Sequence, residues 1–369
     1  MKSKHRVTYA GVGLENHPHF QMVAAGATTV LQKLHAIDPF AMDISEYNQH
    51  YFYRKKQFLE QSMHIYSYLL LAIKPMPIEE TVFVDFGGGI GAMSALAKTM
   101  PFHKIVYVDI FDVSTRDAIQ FGKVTNLSAD AYLTGDIECL TAYLKEDKDV
   151  RGKPVMMCSF DVLEHIYDLK AFFTELKKVE AAVHFTMGSS ANKYNPWIAR
   201  ARRKLQREVE EQDRALVPGH KERDSLESYL SIRQRIIREF LQKNRSTLSE
   251  GEVELLASKT RGLIKGDIEG CVQAYLRKGM FPRGMTDPTN TCDPITGNGC
   301  ENLIDLKELE NMLRELNITS SMLPGYFDAC GDAWKIPLKS VLNRVAKIFP
   351  GPSLFYAPYY VLSGIANGP

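Results

Sequence analysis

Features of secreted, membrane-spanning and fibrous proteins are scarce in this sequence. Its 369 residues include only six cysteines, which are scattered along the chain, unlike the dense disulfide framework of a small secreted domain. The longest apolar cluster, 68–73, is far shorter than the roughly 20 residues that span a bilayer. The amino-terminal residues also lack the apolar run of a signal peptide. We therefore expect a cytoplasmic protein with reduced thiols and no membrane span.

The chain also has almost no net charge. Its 45 Lys and Arg residues oppose 44 Asp and Glu residues, which leaves +1, so any basic patch must be local. The stretch 195–281 is modestly basic, because 18 Lys and Arg residues against 13 Asp and Glu residues give +5. Its basic cluster, 200–207, has no interleaved aromatic residues, which favours a solvated helix face over a nucleic-acid site.

The spacing of apolar residues divides the chain into regions with different predicted secondary structure. Before residue 81, apolar residues recur every three or four positions, which predicts one helix over 20–34 and a second from Ser45 to about Ala72. From Val82 onward, short β-branched runs alternate with helix-length segments, as in βαβ units on a parallel sheet. The five strands predicted in this stretch are Val82–Phe86, Lys104–Asp109, Ala131–Thr134, Pro154–Phe160 and Ala182–Met187.

The alternation stops over 195–281, where helical spacing predicts three or four inserted helices. One of them begins with a capping-box sequence, Ser249 to Glu252. After a polar loop, the predicted elements are helices at Leu306–Leu316 and Leu338–Ile348 and strands at Ser320–Phe327 and Leu354–Leu362. We therefore predict four segments, which are an N-terminal helical layer (1–80), an α/β core (81–194), a helical insertion (195–281) and the C-terminal part of the core (282–369).

The most informative motif joins the first predicted strand to the next helix. The strand runs into a glycine-rich turn, in which Gly87, Gly89 and Gly91 allow a tight bend and remove the Cβ atoms that would keep a ligand from the backbone. Such a turn predicts a nucleotide-binding loop. Because Ala92 also satisfies the last position of GxGxxG/A, the turn alone fits dinucleotide binding as well.

Acidic residues close four successive predicted strands. Asp85 lies at the end of the first strand, Asp109 ends the second, and Asp136 and Asp161 follow the third and the fourth. Ligands of open α/β sheets bind outside the carboxyl ends of the strands, so we expect these four side chains to share one crevice. Asp109 could accept hydrogen bonds from ribose hydroxyls there.

At these positions the chain resembles the class I S-adenosylmethionine-dependent methyltransferases. The residues that match the motifs of that family, and that the resemblance implies bind the cofactor, are Asp85, Gly87, Gly89, Gly91, Asp109, Asp136 and Asp161. Within this set, the resemblance places the ribose at Asp109 and the adenine near Asp136. It covers 82–187 and, more loosely, the last helix and strand pair, which look like the reversed final strands of that family.

The resemblance implies a fold, a cofactor and separate roles for the core and the insertion. The expected fold is α/β, a Rossmann-like seven-stranded methyltransferase sheet with an N-terminal helical layer and a large helical insertion. S-adenosylmethionine is the implied cofactor, bound by the core at 81–194. The insertion at 195–281 is then expected to act as a substrate lid.

We expect methyl transfer to a small or medium-sized acceptor, in the form of a hydroxyl oxygen on a sugar-like, glycan-like or secondary-metabolite substrate. The motif Asp161 to His165 lacks the Asn/Asp-Pro-Pro-aromatic sequence that the resemblance associates with methylation of planar amino groups. A hydroxyl must lose its proton, which makes His165 and, after it, His220 the candidate catalytic bases. N-methyl transfer, an NAD(P)-dependent oxidoreductase and a non-catalytic binding module stay open as alternatives.

A polar loop near residue 290 is a further candidate for acceptor binding. Its hydrogen-bonding side chains are Asp287, Asn290, Asp293, Thr296 and Asn298. Simple turn chemistry explains the same composition. Cys292 and Cys300 flank part of the loop, but their seven intervening residues are not a zinc-ligand spacing and no histidine pair follows. We therefore predict no metal site.

Overall fold

The computed structural model of the chain describes residues 14–56, 59–73, 76–216, 225–281 and 288–368. These residues form two compact units. The first contains the described residues up to Leu163, then Asp168–Asn195 and the chain from Asp305 onward; the second contains Glu164–Tyr167 and the described part of Pro196–Ile304. The polar loop after residue 287 therefore groups with the inserted helices.

A seven-stranded sheet forms the centre of the first unit. Its strands are β1 (Val82–Phe86), β2 (Lys104–Asp109), β3 (Ala131–Thr134), β4 (Val155–Phe160), β5 (Val183–Ser189), β6 (Thr319–Pro324) and β7 (Tyr360–Ala366). Their order across the sheet is β3-β2-β1-β4-β5-β7-β6. Strands β1 to β5 are parallel, whereas β7 is antiparallel to both of its neighbours. The predicted Rossmann-like sheet of seven strands is confirmed, and of its final two strands only β7 is reversed, since β6 runs in the same direction as β1 to β5.

Helices cover the sheet, and the central strands β1, β2, β4 and β5 are consequently buried along nearly their whole length. The helices before the insertion are α1 (Phe20–Ala36), α2 (Glu46–Lys56), α3 (Leu59–Leu71), α4 (Ala92–Ala97), α5 (Asp112–Thr125), α6 (Ile137–Glu146) and α7 (Leu169–Leu176). Those of the second unit are α8 (Pro196–Glu211), α9 (Tyr229–Lys243), α10 (Glu250–Lys259) and α11 (Lys265–Lys278). The last three are α12 (Leu306–Glu315), α13 (Ile336–Ile348) and α14 (Pro350–Ser353). No described helix is long and apolar enough to cross a membrane.

The N-terminal layer is fastened to the core by a buried carboxylate. Asp117 on α5 is 1% exposed and accepts hydrogen bonds from the Ser45 backbone N–H at 3.0 Å and from Asn48 Nδ2 at 2.7 Å. Both donors belong to the start of α2. The predicted helix from Ser45 to Ala72 corresponds to α2 and α3, and residues 57 and 58 between them lie outside the described chain.

A buried ion pair and a helix cap organise the second unit. Arg233 is fully buried, forms an ion pair with Glu210, and donates from Nε to the Ala257 carbonyl at 2.7 Å. The predicted capping box is confirmed, because Ser249 and Glu252 bond reciprocally at the start of α10. The described residues of the inserted stretch form four helices, which agrees with the prediction of three or four.

The C-terminal strand predictions need correction. Residues 354–359 are not part of a strand, since Pro350–Ser353 forms a helical turn and β7 begins only at Tyr360. Pro at the first helical position favours that turn. Strand β6 ends at Pro324 and not at Phe327, because the Phe327 N–H and carbonyl bond to the Asn343 side chain and not to a neighbouring strand.

Candidate functional site

The glycine loop after β1 has the backbone conformation that only glycine adopts readily. Gly87, Gly89 and Gly91 have φ values of +73°, +53° and +83°. A Cβ on Gly87 would lie 2.3 Å from Val162 Cγ2, so this glycine is also needed for packing. A Cβ on Gly89 would meet nothing within 4 Å. The loop is therefore packed at its start and borders open space at its centre.

Asp109 and its strand hold the centre of the loop. The Asp109 carboxylate accepts the Gly89 N–H through Oδ2 at 3.0 Å and the Phe111 N–H through Oδ1 at 2.9 Å. The Tyr107 hydroxyl donates to the Gly89 carbonyl at 2.6 Å. Both sides of the Gly89 peptide are thus fixed by β2, and a carboxylate lies beside the open space that this glycine borders.

Asp85 fixes the far end of the same loop. Its carboxylate is 2% exposed, and Oδ2 accepts the Ser94 N–H at 2.8 Å and the Ser94 hydroxyl at 2.7 Å. Burial raises the pKa of Asp85 from 3.8 to about 6; the Ser94 hydrogen bonds oppose this shift and the charge of Asp109 adds to it. Asp85 therefore braces α4 against the end of β1.

Asp136 and Asp161 lie at the ends of the next strands in the positions that the sequence predicts. Asp136 caps α6 by accepting the N–H groups of Glu138 at 3.0 Å and Cys139 at 3.4 Å. Asp161 has a φ of +56° and accepts the Ser190 N–H at 2.8 Å, which joins the ends of β4 and β5. Because β1 to β4 are parallel, all four predicted carboxylates lie at one edge of the sheet.

Tyr66 of α3 is a residue of this edge that the sequence interpretation missed. Burial raises the pKa of its hydroxyl, and Tyr51, Asp85 and Asp161 are close enough to add to the shift. The Leu69 carbonyl, one turn further along α3, accepts the Thr186 hydroxyl at 3.0 Å and holds the helix against β5. The spacing of an aromatic residue on a helix predicts that it belongs to the hydrophobic core, so no sequence signal separates Tyr66 from its buried neighbours.

Aromatic rings line the same edge beyond β4. Phe160 at the end of β4 contacts Tyr359 with ring centroids 5.7 Å apart. Tyr68 packs edge-on against Tyr326 at 4.9 Å and against Tyr359 at 6.4 Å. These rings come from α3, β4 and the segment between β6 and β7. The first unit therefore combines a glycine loop, strand-end carboxylates and an aromatic wall.

His165 belongs to the second unit, where its position is fixed by one residue. Its Nδ1 lies 2.5 Å from the Gly299 carbonyl, and the Gly299 N–H donates to the His165 carbonyl at 3.1 Å. A carbonyl can only accept, so Nδ1 carries the proton and a neutral ring presents Nε2 as an acceptor. The second candidate base, His220, lies outside the described residues.

The polar loop uses its side chains to hold its own shape. Asp293 is 1% exposed and accepts the N–H groups of Ser225 at 3.0 Å and Ile295 at 2.8 Å. Asn290, 8% exposed, accepts from Gln206 Nε2 at 3.1 Å and from the Leu303 N–H at 2.8 Å. The side chains of Asp293 and Asn290, two of the candidates for acceptor binding, therefore stabilise the turn and its packing. Asp287 lies outside the described residues.

The cysteines that flank part of this loop, Cys292 and Cys300, are free and not joined in a disulfide. Burial raises the pKa of both Cys292 and Cys300 to about 12. In the part of the chain that the structure describes, no group of three or more His, Cys, Asp and Glu side chains is placed to hold a metal ion.

Comparisons with known proteins add little at this point. No protein-family model and no curated protein matches the chain. Among solved structures, the Streptomyces coelicolor geranyl diphosphate C-methyltransferase is 10% identical, covering 87% of this chain and 84% of that one, with a TM-score of 0.37. A Haemonchus contortus phosphoethanolamine N-methyltransferase is 10% identical, covering 82% of this chain and 52% of that one, with a TM-score of 0.33. Likenesses this low support no conclusion about this chain, whose fold is defined by its own strand order.

Proposed function

We propose that this chain is an S-adenosylmethionine-dependent methyltransferase of class I. The observation that carries the proposal is the Gly89 peptide, which β2 fixes on both sides and which borders open space next to the Asp109 carboxylate. This arrangement lies at the carboxyl edge of a seven-stranded sheet in which β7 is antiparallel to both of its neighbours. Ligands of such sheets bind at that edge.

The residues present fit the cofactor. Each oxygen of a carboxylate can accept two hydrogen bonds, so Asp109 can serve the loop and a ribose diol together. The bare backbone at Gly89 lets a ligand approach where a side chain would block it. We assign the adenine to the neighbourhood of Asp136, which follows β3. When bound, S-adenosylmethionine supplies an electrophilic methyl group on a sulfonium centre.

A dinucleotide-dependent oxidoreductase is the weaker alternative. Its usual sheet consists of two mononucleotide-binding halves with the strand order 3-2-1-4-5-6. Here the second half is replaced by the antiparallel β7 and the edge strand β6. No second glycine-rich turn follows a strand in the described chain. The sheet therefore offers one nucleotide site rather than two.

We assign the acceptor atom to a hydroxyl oxygen of a small or medium-sized substrate, with N-methyl transfer as the alternative. His165 supports this choice, because its ring tautomer presents Nε2 as a proton acceptor. We propose that the helical insertion at 195–281 acts as a substrate lid, since the chain leaves the sheet after β5, forms helices and returns to the sheet domain at α12. Tyr66 and the aromatic wall would contact the acceptor from the first unit.

Calorimetry with S-adenosylhomocysteine and with NADH tests the cofactor assignment on the purified protein. Binding of the former and not of the latter is the expected result, and tight binding of NADH alone would overturn it. A methyl-transfer screen with labelled donor over hydroxylated metabolites, sugars and peptides then tests the acceptor. Label on a nitrogen or carbon atom would remove the oxygen assignment and leave the cofactor assignment intact.

A further inference from the structure

Helix α13 turns its apolar face towards solvent. Leu338, Val341, Val345 and Ile348, spaced three and four residues apart, are 57%, 54%, 38% and 67% exposed. The opposite face of the helix is buried. Its fully buried residues are Asn343 and Ala346, each 1% exposed. A helix on a globular core normally has the reverse arrangement.

Specific polar contacts hold the helix in this orientation. The Asn343 side chain accepts the Phe327 N–H and donates to the Phe327 carbonyl, both at 2.8 Å. Lys339 forms an ion pair with Asp328 at 2.9 Å, and the Tyr356 hydroxyl donates to the Leu342 carbonyl at 2.9 Å. The exposed stripe is therefore built into the fold and does not arise from a loosely attached helix.

Aromatic residues extend the stripe at both ends. Trp334, two residues before α13, is 73% exposed, and Phe349, immediately after α13, is 58% exposed. We call the set of Trp334, Leu338, Val341, Val345, Ile348 and Phe349 the α13 patch. Contiguous apolar surfaces of this kind mark interaction sites when they exceed a few hundred Å².

The surroundings of the α13 patch are basic, although the whole chain is nearly neutral. Residues 328–355 contain Lys335, Lys339, Arg344 and Lys347 against Asp328 and Asp332, which gives +2. Asp328 pairs with Lys339 and Asp332 pairs with Lys335, so the excess positive charge comes from Arg344 and Lys347. The Lys335 ammonium lies 5.1 Å from the Trp334 ring centroid. Basic side chains beside an apolar stripe with an aromatic end are the composition of a helix that lies in a membrane interface.

We propose that the α13 patch docks reversibly on an anionic lipid surface. The apolar stripe would enter the boundary between headgroups and acyl chains, while Arg344 and Lys347 contact lipid phosphates. Charge decides between this occupant and a second copy of the chain. A two-fold interface through the α13 patch would bring the same basic residues together, whereas an anionic bilayer neutralises them.

The α13 patch belongs to the segment that links β6 to β7. Tyr360 at the start of β7 pairs with Ser189 at the end of β5 and with Pro324 at the end of β6. The link therefore begins and ends at the carboxyl edge of the sheet, the edge of the glycine loop. The docking itself is independent of methyl transfer, because lipid binding can be measured without a methyl donor.

Co-sedimentation of the full chain with lipid vesicles tests the proposal. We expect binding to phosphatidylcholine vesicles that contain phosphatidylglycerol, weaker binding to phosphatidylcholine alone, and loss of binding at high salt. The chain has two tryptophans, so a Trp197→Phe variant isolates the emission of Trp334. That emission should shift to the blue when vesicles are added.

Substitutions on the exposed stripe sharpen the test without touching the core. The double variant Val341→Ser with Ile348→Ser should lower the partition coefficient at least about tenfold, because it removes apolar groups that enter the bilayer. Val124→Ser is the matched control, since Val124 is 59% exposed on α5. Arg344→Gln with Lys347→Gln should abolish the preference for anionic lipid.

A melting temperature equal to that of the wild type shows that each variant is folded. The proposal is wrong if the wild-type chain does not bind anionic vesicles, or if the stripe variant binds as well as the Val124→Ser control. It is also wrong if sedimentation shows a dimer that Val341→Ser with Ile348→Ser dissociates, since a second copy then occupies the α13 patch.

Discussion

The Asp109 carboxylate accepts the N–H of Gly89 at 3.0 Å, and this bond links the end of β2 to the turn after β1. One side chain therefore shapes the loop and lines the space above it. We predict that Asp109→Ala lowers the affinity for S-adenosylhomocysteine by about 10- to 100-fold, equivalent to about 1–3 kcal/mol, because ribose hydroxyls lose their acceptor. Isothermal calorimetry measures this change directly.

Asp130 provides a matched control for that substitution. It lies before β3 and accepts the Ile105 N–H at 2.9 Å, so it also binds the backbone of β2, but near the opposite end of the strand. Asp130→Ala should reduce stability without weakening ligand binding. If both variants lose affinity equally, any disturbance of β2 weakens ligand binding, and the assignment of the ribose to Asp109 fails.

The glycines of the loop should separate stability from binding. Gly89→Ala introduces strain at a positive φ, on the order of 1–2 kcal/mol, and places a methyl group in the open space. Gly152→Ala is the control, because Gly152 also has a positive φ of +73° and nothing near its Cβ, but it lies before β4. We predict similar losses of stability in the two variants and a loss of S-adenosylhomocysteine affinity in Gly89→Ala only.

Gly87 must be glycine for packing as well as for its backbone conformation, and a double variant can test this. Gly87→Ala should be more destabilising than Gly89→Ala, because its methyl group would overlap Val162 Cγ2. Adding Val162→Ala removes the overlapping atom and should restore part of the stability, as measured by urea unfolding. If the double variant is no more stable than Gly87→Ala, the overlap does not explain the cost.

The sequence alone was sufficient for most of the parallel sheet. The bounds of β1, β2 and β3 match the predicted strands because each strand is a short β-branched or aromatic run closed by glycine or a charged residue. The strand-end carboxylates could be placed together for the same reason. Their individual partners could not, since Ser94 and Ser190 come from other parts of the chain.

The predictions were less accurate where tertiary contacts override local pattern. The apolar residues of α13 have helical spacing, and spacing alone indicates a buried face, but Asn343 and Lys339 anchor the opposite face. Residues 354–359 were predicted as strand from their apolar and aromatic content, yet a proline-initiated turn precedes them. Tyr66 lies near Asp85 only because α3 packs on β5, a contact that no local pattern encodes.

The raised pKa of Asp85 predicts a pH-dependent stability. Its folded-state value of about 6 exceeds the ordinary 3.8, so the folded chain holds this proton more tightly than the unfolded chain. Stability is therefore lost as the pH rises from about 4 to about 6, by on the order of 2–3 kcal/mol. In Asp85→Asn this loss should be absent, and the stability of the variant relative to wild type should increase over that range.

Urea unfolding followed by circular dichroism at several pH values checks this prediction. Asn can still accept the two Ser94 hydrogen bonds through its carbonyl oxygen, so the comparison isolates ionisation. A difference between wild type and Asp85→Asn that stays constant from pH 4 to pH 7 would show that burial does not raise this pKa.

Removing one partner of the buried ion pair in the second unit should destabilise the fold more than replacing both partners together. Glu210→Ala leaves the fully buried Arg233 uncompensated and should cost about 3–5 kcal/mol. Replacing both residues, as Glu210→Leu with Arg233→Met, should recover much of that loss. The exposed pair of Arg235 and Glu227, 2.9 Å apart, is the control, and Glu227→Ala should cost at most about 1 kcal/mol. Calorimetric unfolding distinguishes these outcomes.

The last prediction concerns the base. Gly299 holds the His165 ring through Nδ1, so Nε2 is the atom that can take a proton from a hydroxyl acceptor. Once an acceptor is known, His165→Ala should slow transfer by about 10²- to 10⁴-fold while the affinity for the methyl donor stays unchanged. His103→Ala is the control, because His103 lies before β2 and contacts Asp149.

The pH dependence of the rate separates a base from a structural histidine. If His165 acts as the base, the wild-type rate should rise as an imidazole loses its proton, and this limb should vanish in His165→Ala. A variant that is slower but keeps the limb would assign His165 a positioning role and direct attention to His220. If neither His165→Ala nor His220→Ala slows transfer, neither histidine is the base, and the assignment of a hydroxyl acceptor activated by them fails while methyl transfer by alignment of donor and acceptor remains.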